Sequence, residues 1–207
     1  MGCVKMHAPW PSIPGETPID LSHLTANVKA RGITTRQELS SLEAQNIAKS
    51  FIKYLAAKPS PRLAPFDYSW SLRLHKEMFG EVWEWAGSIR TADGNLGVPF
   101  YNVSATLYAL LADLREWSDF GMSLLEQAAR LHHRAVAIHP FPNGNGRWSR
   151  LIANIWLVQH DAPLIHWPEE VIGEQGSIRR EYIAAIIASD AGNLAPLVEL
   201  HERYTLQ

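Results

Sequence analysis

The sequence is poor in cysteine and in long apolar runs, and each shortage excludes a class of protein. Cys3 is the only cysteine among 207 residues, so we expect neither a disulfide framework nor a cysteine-based zinc site. No apolar run is long enough to cross a bilayer. The N-terminal residues lack the pattern of a secretory signal. A reducing, cytoplasmic setting fits this composition best.

The sequence also carries little net charge. Lysine and arginine number 19 against 21 acidic residues, which gives a formal net charge of −2 at pH 7. Neither nucleic acid nor an anionic membrane is therefore expected as a partner, because both need a basic surface. The 207 residues, 46% of them hydrophobic, suit a globular domain with a buried core.

Helical patterns fill most of the chain. Thr35 and Glu38 have the spacing of a capping box that opens a helix. The clearest amphipathic pattern lies in residues 147–160, where apolar side chains recur at i, i+3, i+4, i+7 and i+8. These side chains are Trp148, Leu151, Ile152, Ile155 and Trp156. We predict an all-α domain over residues 33–207, preceded by a proline-rich N-terminal arm over residues 1–32.

One stretch breaks the helical pattern. The segment GSIRTADGNLGVPFYNV at 87–103 holds two glycine-containing turns and ends in residues that favour strands. It predicts a short β-hairpin in an otherwise helical domain. A structural hairpin and a functional flap explain this pattern almost equally well.

The polar loop HPFPNGNGRWSR at 139–150 lies between two apolar helical segments. Its glycines let backbone amides approach a ligand closely, and the loop leads into a helix N-terminus, where free N–H groups attract anions. Arg147 and Arg150 lie three residues apart, at neighbouring positions on one helix face. Two guanidinium groups beside such amides suit a chain of phosphates, so we expect a di- or triphosphate ligand.

His139 stands at the start of this loop. Its imidazole accepts a proton near neutral pH and could deprotonate a hydroxyl that attacks a bound phosphorus. General-base assistance of this kind contributes ~10²–10⁴-fold in rate. Each feature alone has an ordinary explanation: a plain loop, a structural histidine or a solvated pair of arginines. Their occurrence together in one short segment favours a catalytic site.

The loop resembles the signature of Fic-domain proteins, His-x-Phe-x-(Asp/Glu)-Gly-Asn-Gly-Arg-x-x-Arg, and matches it at every position but one. The order of helices, the expected hairpin and the phrase FGEVWEWAGSIRT at 79–91 are also similar to Fic proteins. The layout most resembles the bacterial subgroup called mobile mystery protein B. The resemblance implies an all-α, Fic-type helical domain with a short β-hairpin flap.

The resemblance also implies a reaction: transfer of AMP from ATP to a Ser, Thr or Tyr hydroxyl of a target protein, with release of pyrophosphate. His139 would be the base, and Phe141 would anchor the loop in the core. The nucleotide-binding residues would be Gly144, Asn145, Gly146, Arg147 and Arg150. A flap over residues 89–101 would align the target chain by strand addition. Its docking residues would be Ile89, Arg90, Thr91, Val98, Phe100 and Tyr101.

The one departure from the signature is Asn143, where the family has a carboxylate that helps to hold Mg²⁺ on the phosphates. Mg²⁺ commonly uses one or two carboxylates together with substrate oxygens and water. Asparagine offers a neutral carbonyl oxygen, so we expect ATP and Mg²⁺ to be required but the metal to bind more weakly. Relatives that differ here can move another part of the nucleotide. Doc-type toxins transfer the terminal phosphate, which leaves phosphotransfer open as an alternative.

Glu43 is a candidate inhibitory residue. Many Fic proteins are inhibited by a glutamate on a separate helix, which pairs with the last arginine of the signature. The usual phrase is Ser/Thr-x-x-x-Glu-Gly/Asn, and LSSLEAQN at 39–46 comes close without matching it. A solvent-facing helix glutamate is the alternative interpretation. An antitoxin partner is implied by the resemblance alone.

Two other functions stay open at this stage. His132, His133 and His139 have a loose zinc-like spacing that would suit a metal hydrolase, although no acidic residue lies among them. The second is a Fic fold that binds a nucleotide without transferring any part of it, since Asn143 weakens the expected metal site. The intact His139 argues against a full loss of chemistry.

Overall fold

The computed structural model describes residues 19–117, 121–168 and 176–205, and confirms the predicted all-α class. These ranges contain eight α-helices in order: α1 (Ala26–Lys29), α2 (Arg36–Leu55), α3 (Tyr68–Phe79), α4 (Val103–Glu116), α5 (Leu124–Ile138), α6 (Asn145–Gln159), α7 (Ser177–Asp190) and α8 (Ala195–Thr205). Short 3-10 helices, Leu21–His23 and Phe100–Asn102, precede α1 and α4. A membrane-spanning helix is not among these elements, since none combines enough length with enough apolarity.

Capping residues explain where several helices begin. Thr35 accepts a hydrogen bond from the Glu38 backbone, and the Glu38 carboxylate accepts one from the Thr35 backbone, so the predicted capping box opens α2. Asp67 caps α3 through the Trp70 N–H at 2.7 Å, and Ser123 caps α5. Each such cap stabilises a helix start by about 1 kcal/mol.

The helices α5 and α6, joined by the loop at 139–144, pack along each other at the centre of the molecule. One side of this pair joins a large core built with α2, α3 and α4. Its largest fully buried side chains are Trp70, Trp148, Tyr54, Phe79 and Phe141. The other side joins a smaller core built with α7 and α8. The loop is therefore held between two helices that are both fixed by packing.

The described part of the N-terminal arm, residues 19–32, packs against the large core. Leu21, Leu24 and Val28 are buried there, and an isolated antiparallel bridge links Leu24 with Trp83. This part is partly helical rather than extended, because its apolar side chains find partners in the core. The rest of the predicted arm, residues 1–18, lies outside the described residues.

The predicted β-hairpin is not formed. Residues 88–99 form bends and irregular backbone without paired strands. Their backbone bonds instead to the loop after α5: the Arg90 N–H donates to the Pro140 carbonyl at 3.0 Å and the Val98 N–H to the Ile138 carbonyl at 3.4 Å. The Arg90 guanidinium lies between the two arms of the flap and takes up carbonyls that strand pairing would otherwise use.

Candidate active site

The loop between α5 and α6 folds around a buried aromatic stack. The Phe141 ring stacks on that of His75 with centroids 3.6 Å apart and meets Trp148 edge-on at 5.0 Å. The Asn145 side chain closes the loop, since its Oδ1 accepts from the Phe141 N–H at 2.9 Å and its Nδ2 donates to the Phe141 carbonyl at 2.8 Å. Phe141 thus lies in the core, and the Asn145 side chain is engaged within the loop.

His75, on α3, supports the loop in one tautomer. Its Nδ1 accepts from the Gly87 N–H at 3.0 Å, so the proton lies on Nε2, which donates to the Asn143 carbonyl at 3.0 Å. Burial lowers the pKa of His75 to about 3, and the nearby Arg147 charge acts in the same direction. The ring is therefore neutral. Sequence reasoning missed His75, because nothing in the local pattern marks a helical histidine as a loop support.

His139 ends α5 in the left-handed region, with φ 52° and ψ 60°, which is uncommon for a residue other than glycine. Its carbonyl accepts from Arg90 Nε at 2.7 Å. Burial lowers the pKa of His139, the Val136 carbonyl opposes this by favouring the protonated ring, and the Arg90 charge adds to the lowering. The net effect favours the neutral imidazole at neutral pH, which is the form a general base requires.

The start of α6 offers backbone amides beside His139. Gly144 precedes the helix with φ 79° and makes no side-chain cap. A β-carbon at this position would lie 2.7 Å from the Phe79 ring, so the close packing of the loop requires glycine. An uncapped helix N-terminus carries unpaired N–H groups and the positive end of the helix dipole. The predicted phosphate site has this character.

Asn143 faces the same amides. Its Oδ1 accepts from the Gly144 N–H at 2.6 Å, so a side-chain oxygen lies against a backbone amide of the predicted phosphate site. That oxygen retains a second lone pair that suits a hard cation such as Mg²⁺. Within residues 19–117, 121–168 and 176–205, no three His, Cys, Asp or Glu side chains gather into a metal cluster. The predicted role of Asn143 as a metal ligand stays a prediction.

Arg147 is paired with Glu43 across the gap between α6 and α2. Its Nη1 donates to Glu43 Oε2 at 2.6 Å, and its guanidinium lies 4.8 Å from the centre of the Phe79 ring. The other carboxylate oxygen, Oε1, accepts from Trp83 Nε1 at 2.6 Å. Glu43 is 9% exposed, so the interpretation as a solvent-facing glutamate is wrong. The arginine seen in this pair is the first of the signature, whereas the resemblance implied the last.

Arg150 is buried, and its guanidinium lies 5.6 Å from the centre of the Tyr182 ring on α7. Tyr182 begins a chain of buried polar groups: its hydroxyl contacts His132 Nε2 at 3.0 Å, and His132 Nδ1 contacts His201 Nε2 at 3.3 Å. The chain ends where His201 Nδ1 donates to the Leu197 carbonyl at 2.7 Å. Because that carbonyl can only accept, each histidine donates from Nδ1 and the tyrosine donates to His132.

His132 and His201, the two histidines in this row of buried polar groups, are neutral. Burial lowers the pKa of His201 to about 4 and that of His132 well below its ordinary value. The third histidine of the zinc alternative, His133, contacts Asp190 through Nε2 at 2.8 Å. The histidines at 132, 133 and 139 thus have different partners, and the metal cluster expected of a zinc hydrolase is not among the described residues.

The six predicted docking residues of the flap fall into a buried, a half-buried and an exposed group. Arg90 is 7% exposed and turned inward, so its side chain offers little surface to a target chain, and its docking role stays a prediction. Ile89 and Val98 are half-buried against the core. The exposed members are Thr91, Phe100 and Tyr101. These three leave the flap with a partly aromatic outer surface.

A neutral histidine, a helix start without a side-chain cap and two arginines thus lie at one end of a helical domain. Residues 65–157 match the model of the Fic/DOC family, so this part of the chain is similar to Fic domains. The predicted resemblance to Fic-domain proteins is therefore confirmed over these residues. The narrower subgroup stays a prediction.

Curated relatives and solved structures agree with this assignment. The chain is 33% identical over 134 residues to the protein adenylyltransferase fic-1 of Caenorhabditis briggsae and 32% identical over 133 residues to that of Caenorhabditis elegans. Each match covers 61% of this chain but only 25% of the relative. The chain thus aligns with about a quarter of the length of the relatives it matches.

The fold is shared with solved Fic structures. Fic-1 from Caenorhabditis elegans superposes with a TM-score of 0.60 at 26% identity, covering 77% of this chain and 45% of that one. BepC from Bartonella tribocorum, solved with bound AMPPNP, gives a TM-score of 0.63 at 19% identity, covering 93% and 94% of the two chains. The helical Fic fold predicted from the sequence is confirmed.

Proposed function

We propose that this protein is a Fic-type adenylyltransferase, which transfers AMP from ATP to a hydroxyl side chain of a target protein. The observation that carries the proposal is the neutral His139 beside the uncapped start of α6. The adenylyltransferase relatives, at about a third identity, support the same reaction.

The proposed reaction begins with proton transfer. The His139 imidazole takes the proton from the target hydroxyl while the hydroxyl oxygen bonds to the α-phosphorus of ATP. The bond from that phosphorus to the bridging oxygen breaks, and pyrophosphate leaves with the electron pair. The backbone amides of Asn145 and Gly146 stabilise the negative charge, joined by that of Gly144 once Asn143 Oδ1 releases it. Arg147 and Arg150 hold the β- and γ-phosphates.

Mg²⁺ belongs to the proposal as the partner of the nucleotide. Asn143 Oδ1 is the side-chain oxygen of the loop that would hold it, replacing the carboxylate of the family signature. When bound, the ion would neutralise phosphate charge. A neutral ligand attracts the ion less strongly than a carboxylate, so Mg²⁺ is required but binds more weakly than at the carboxylate of the signature.

The pairing of Glu43 with Arg147 defines a resting state of the proposed enzyme. In the present structure the Glu43 carboxylate is paired with the Arg147 guanidinium, the group that would bind the phosphates of ATP. Trp83 holds the other carboxylate oxygen and so fixes the side chain in this position. Self-inhibition by Glu43 follows, with ATP and Glu43 competing for one arginine. An antitoxin protein that stabilises the same pair is the alternative form of control.

The partner in the proposal is a protein with an exposed Ser, Thr or Tyr, aligned along the outer surface of the flap. Thr91, Phe100 and Tyr101 supply exposed contacts there. A cytoplasmic location is proposed on the low cysteine content.

Mass spectrometry of modified protein tests the proposal. The chain and its Glu43→Gly variant are incubated with ATP, Mg²⁺ and a cell lysate, and the mass added to modified peptides is measured. We expect the mass of an AMP group, lost in His139→Ala and kept in His166→Ala, which removes an exposed histidine. A phosphate group would instead support Fic-fold phosphotransfer. ATP binding without modified protein would support the non-catalytic nucleotide-binding module.

A further inference from the structure

One buried side chain joins the flap to the candidate base. The Arg90 guanidinium donates to the carbonyls of Ala92, at 3.1 Å, and Val98 on the flap. It also donates to the carbonyl of His139 at 2.7 Å and that of Ile138 at 3.5 Å, at the end of α5. One cation thus binds four backbone oxygens from two segments that are far apart in the sequence.

The end of α5 needs such a partner. The last carbonyls of a helix have no intrahelical donor and lie at the negative end of the dipole. His139 leaves the helix with its backbone in the left-handed region, which residues other than glycine rarely adopt. The planar, five-donor guanidinium fork can bind several carbonyls around one point, whereas a lysine ammonium cannot span them in the same way.

The flap passes close to His139 at Gly97, which has φ 104°. A β-carbon there would lie 2.7 Å from His139 Cβ and 2.8 Å from both Arg90 Nη2 and the Ile138 carbonyl. The flap backbone therefore packs directly on the base and on the arginine that holds it. A displacement of the flap cannot leave the conformation of His139 unchanged.

We propose that Arg90 is a positioning residue that holds His139 in its left-handed conformation and makes the geometry of the base depend on the state of the flap. This inference rests on the proposed role of His139 as general base. It assigns to Arg90 a task distinct from target docking, since the side chain faces inward.

Kinetics of four variants test the proposal. Arg90→Gln removes charge and fork, Arg90→Lys removes the fork alone, and Gly97→Ala disturbs the contact from the flap side with Arg90 intact. A misplacement of about 1 Å can lower a rate by about 10²-fold. We expect kcat to fall about 10- to 100-fold in all three, with the ATP dissociation constant within about twofold of that of the unmodified chain. Arg115→Gln, on the exposed surface of α4, is the control and should not change kcat.

The pH profile separates positioning from a structural role. The charge that acts on His139 is that of Arg90, whose Nη1 lies 3.5 Å from the Asp93 carboxylate. Removing the cation raises the pKa of His139, so the acid limb of kcat/KM should move to higher pH in Arg90→Gln. In Arg90→Lys the limb should stay in place although kcat falls. An unmoved limb in Arg90→Gln, with lost stability and weaker ATP binding, would mean that Arg90 is only structural.

A measurement without turnover keeps this inference separate from the proposed function. The NMR coupling between the amide and α protons of His139 reports its φ angle, and Arg90→Gln and Gly97→Ala should both change it. The signal is assigned with His139→Ala. If the chain transfers no AMP, this coupling still tests whether Arg90 holds His139. Full kcat together with an unchanged coupling in Arg90→Lys and Gly97→Ala would overturn the proposal.

Discussion

In the proposed function, a single residue, Glu43, sets the resting state of the site. Its carboxylate binds the Arg147 guanidinium and the Trp83 indole at once, in a place where it is largely shielded from water. A hydrogen bond between charged groups contributes about 1.5–3 kcal/mol. That energy corresponds to roughly 10- to 100-fold in the affinity of a competing phosphate group.

Glu43→Gly should therefore raise self-modification by about 10-fold or more, with Glu43→Gln giving a smaller rise. Glutamine keeps the oxygen that Trp83 contacts but loses the charge that holds Arg147. Labelled ATP and gel autoradiography measure the effect. Glu199→Gly controls for the loss of helix stability that glycine brings to an exposed position. Equal labelling of Glu43→Gly and the unmodified chain would mean that the pair does not inhibit.

Replacement of asparagine by aspartate should strengthen metal binding at position 143 and destabilise the fold at position 145. Asn143→Asp adds a carboxylate oxygen that still accepts from the Gly144 N–H, so the Mg²⁺ concentration for half-maximal activity should fall. Asn145→Asp loses the amide that donates to the buried Phe141 carbonyl, so the free energy of unfolding should drop by about 1–3 kcal/mol. Titration with Mg²⁺ and urea denaturation are the two measurements. An unchanged Mg²⁺ dependence in Asn143→Asp would count against a metal role for this residue.

At the scale of helices, α7 contacts Arg150 and the buried His132 through Tyr182. The hydroxyl of Tyr182 donates to His132, and its ring lies under Arg150. Tyr182→Phe leaves the buried His132 Nε2 without this donor, so we expect a loss of about 1–3 kcal/mol in unfolding free energy and a weaker affinity for ATP. Tyr108→Phe, at an exposed position of α4, is the matched control. A variant as stable as the control would show that the polar chain does not support α7.

Helix starts were accessible to prediction, and the fold of the flap was not. Caps such as Thr35 and Asp67 act on residues within one turn, so their spacing is visible in the sequence. The turns of the flap were also visible. Its pairing was not, because the Arg90 guanidinium competes with strand formation only when the end of α5 lies beside it. A pattern of turns cannot report a partner that lies 48 residues further along the chain.

At the scale of the whole molecule, buried neutral histidines make stability depend on pH. Burial lowers the pKa of His75 to about 3 and that of His201 to about 4, while an unfolded histidine titrates near 6.5. The unfolded state therefore binds more protons below that pH, and stability falls as pH drops towards the folded values. Each such histidine removes about 2 kcal/mol between about pH 6.5 and pH 5.

Urea denaturation across this pH range measures the effect. The free energy of unfolding should be greatest above about pH 6.5 and should decline steadily below it. His201→Gln should flatten the decline, because one proton-binding site of the unfolded chain is removed. His166→Ala, which removes an exposed histidine, should leave the slope unchanged. A free energy that is independent of pH between about 7 and 5 would show that these rings are not held neutral.

The sequence by itself determined the helical class, the caps and the loop with its histidine, glycines and arginines, because each depends on residues within a few positions of one another. Tertiary structure alone decided which partners these groups meet: Glu43 with Arg147, His75 with the Asn143 carbonyl, and Arg90 with the end of α5. Such contacts join residues from different helices and loops. They exist only once apolar faces have packed together, since burial selects which polar side chains must find one another.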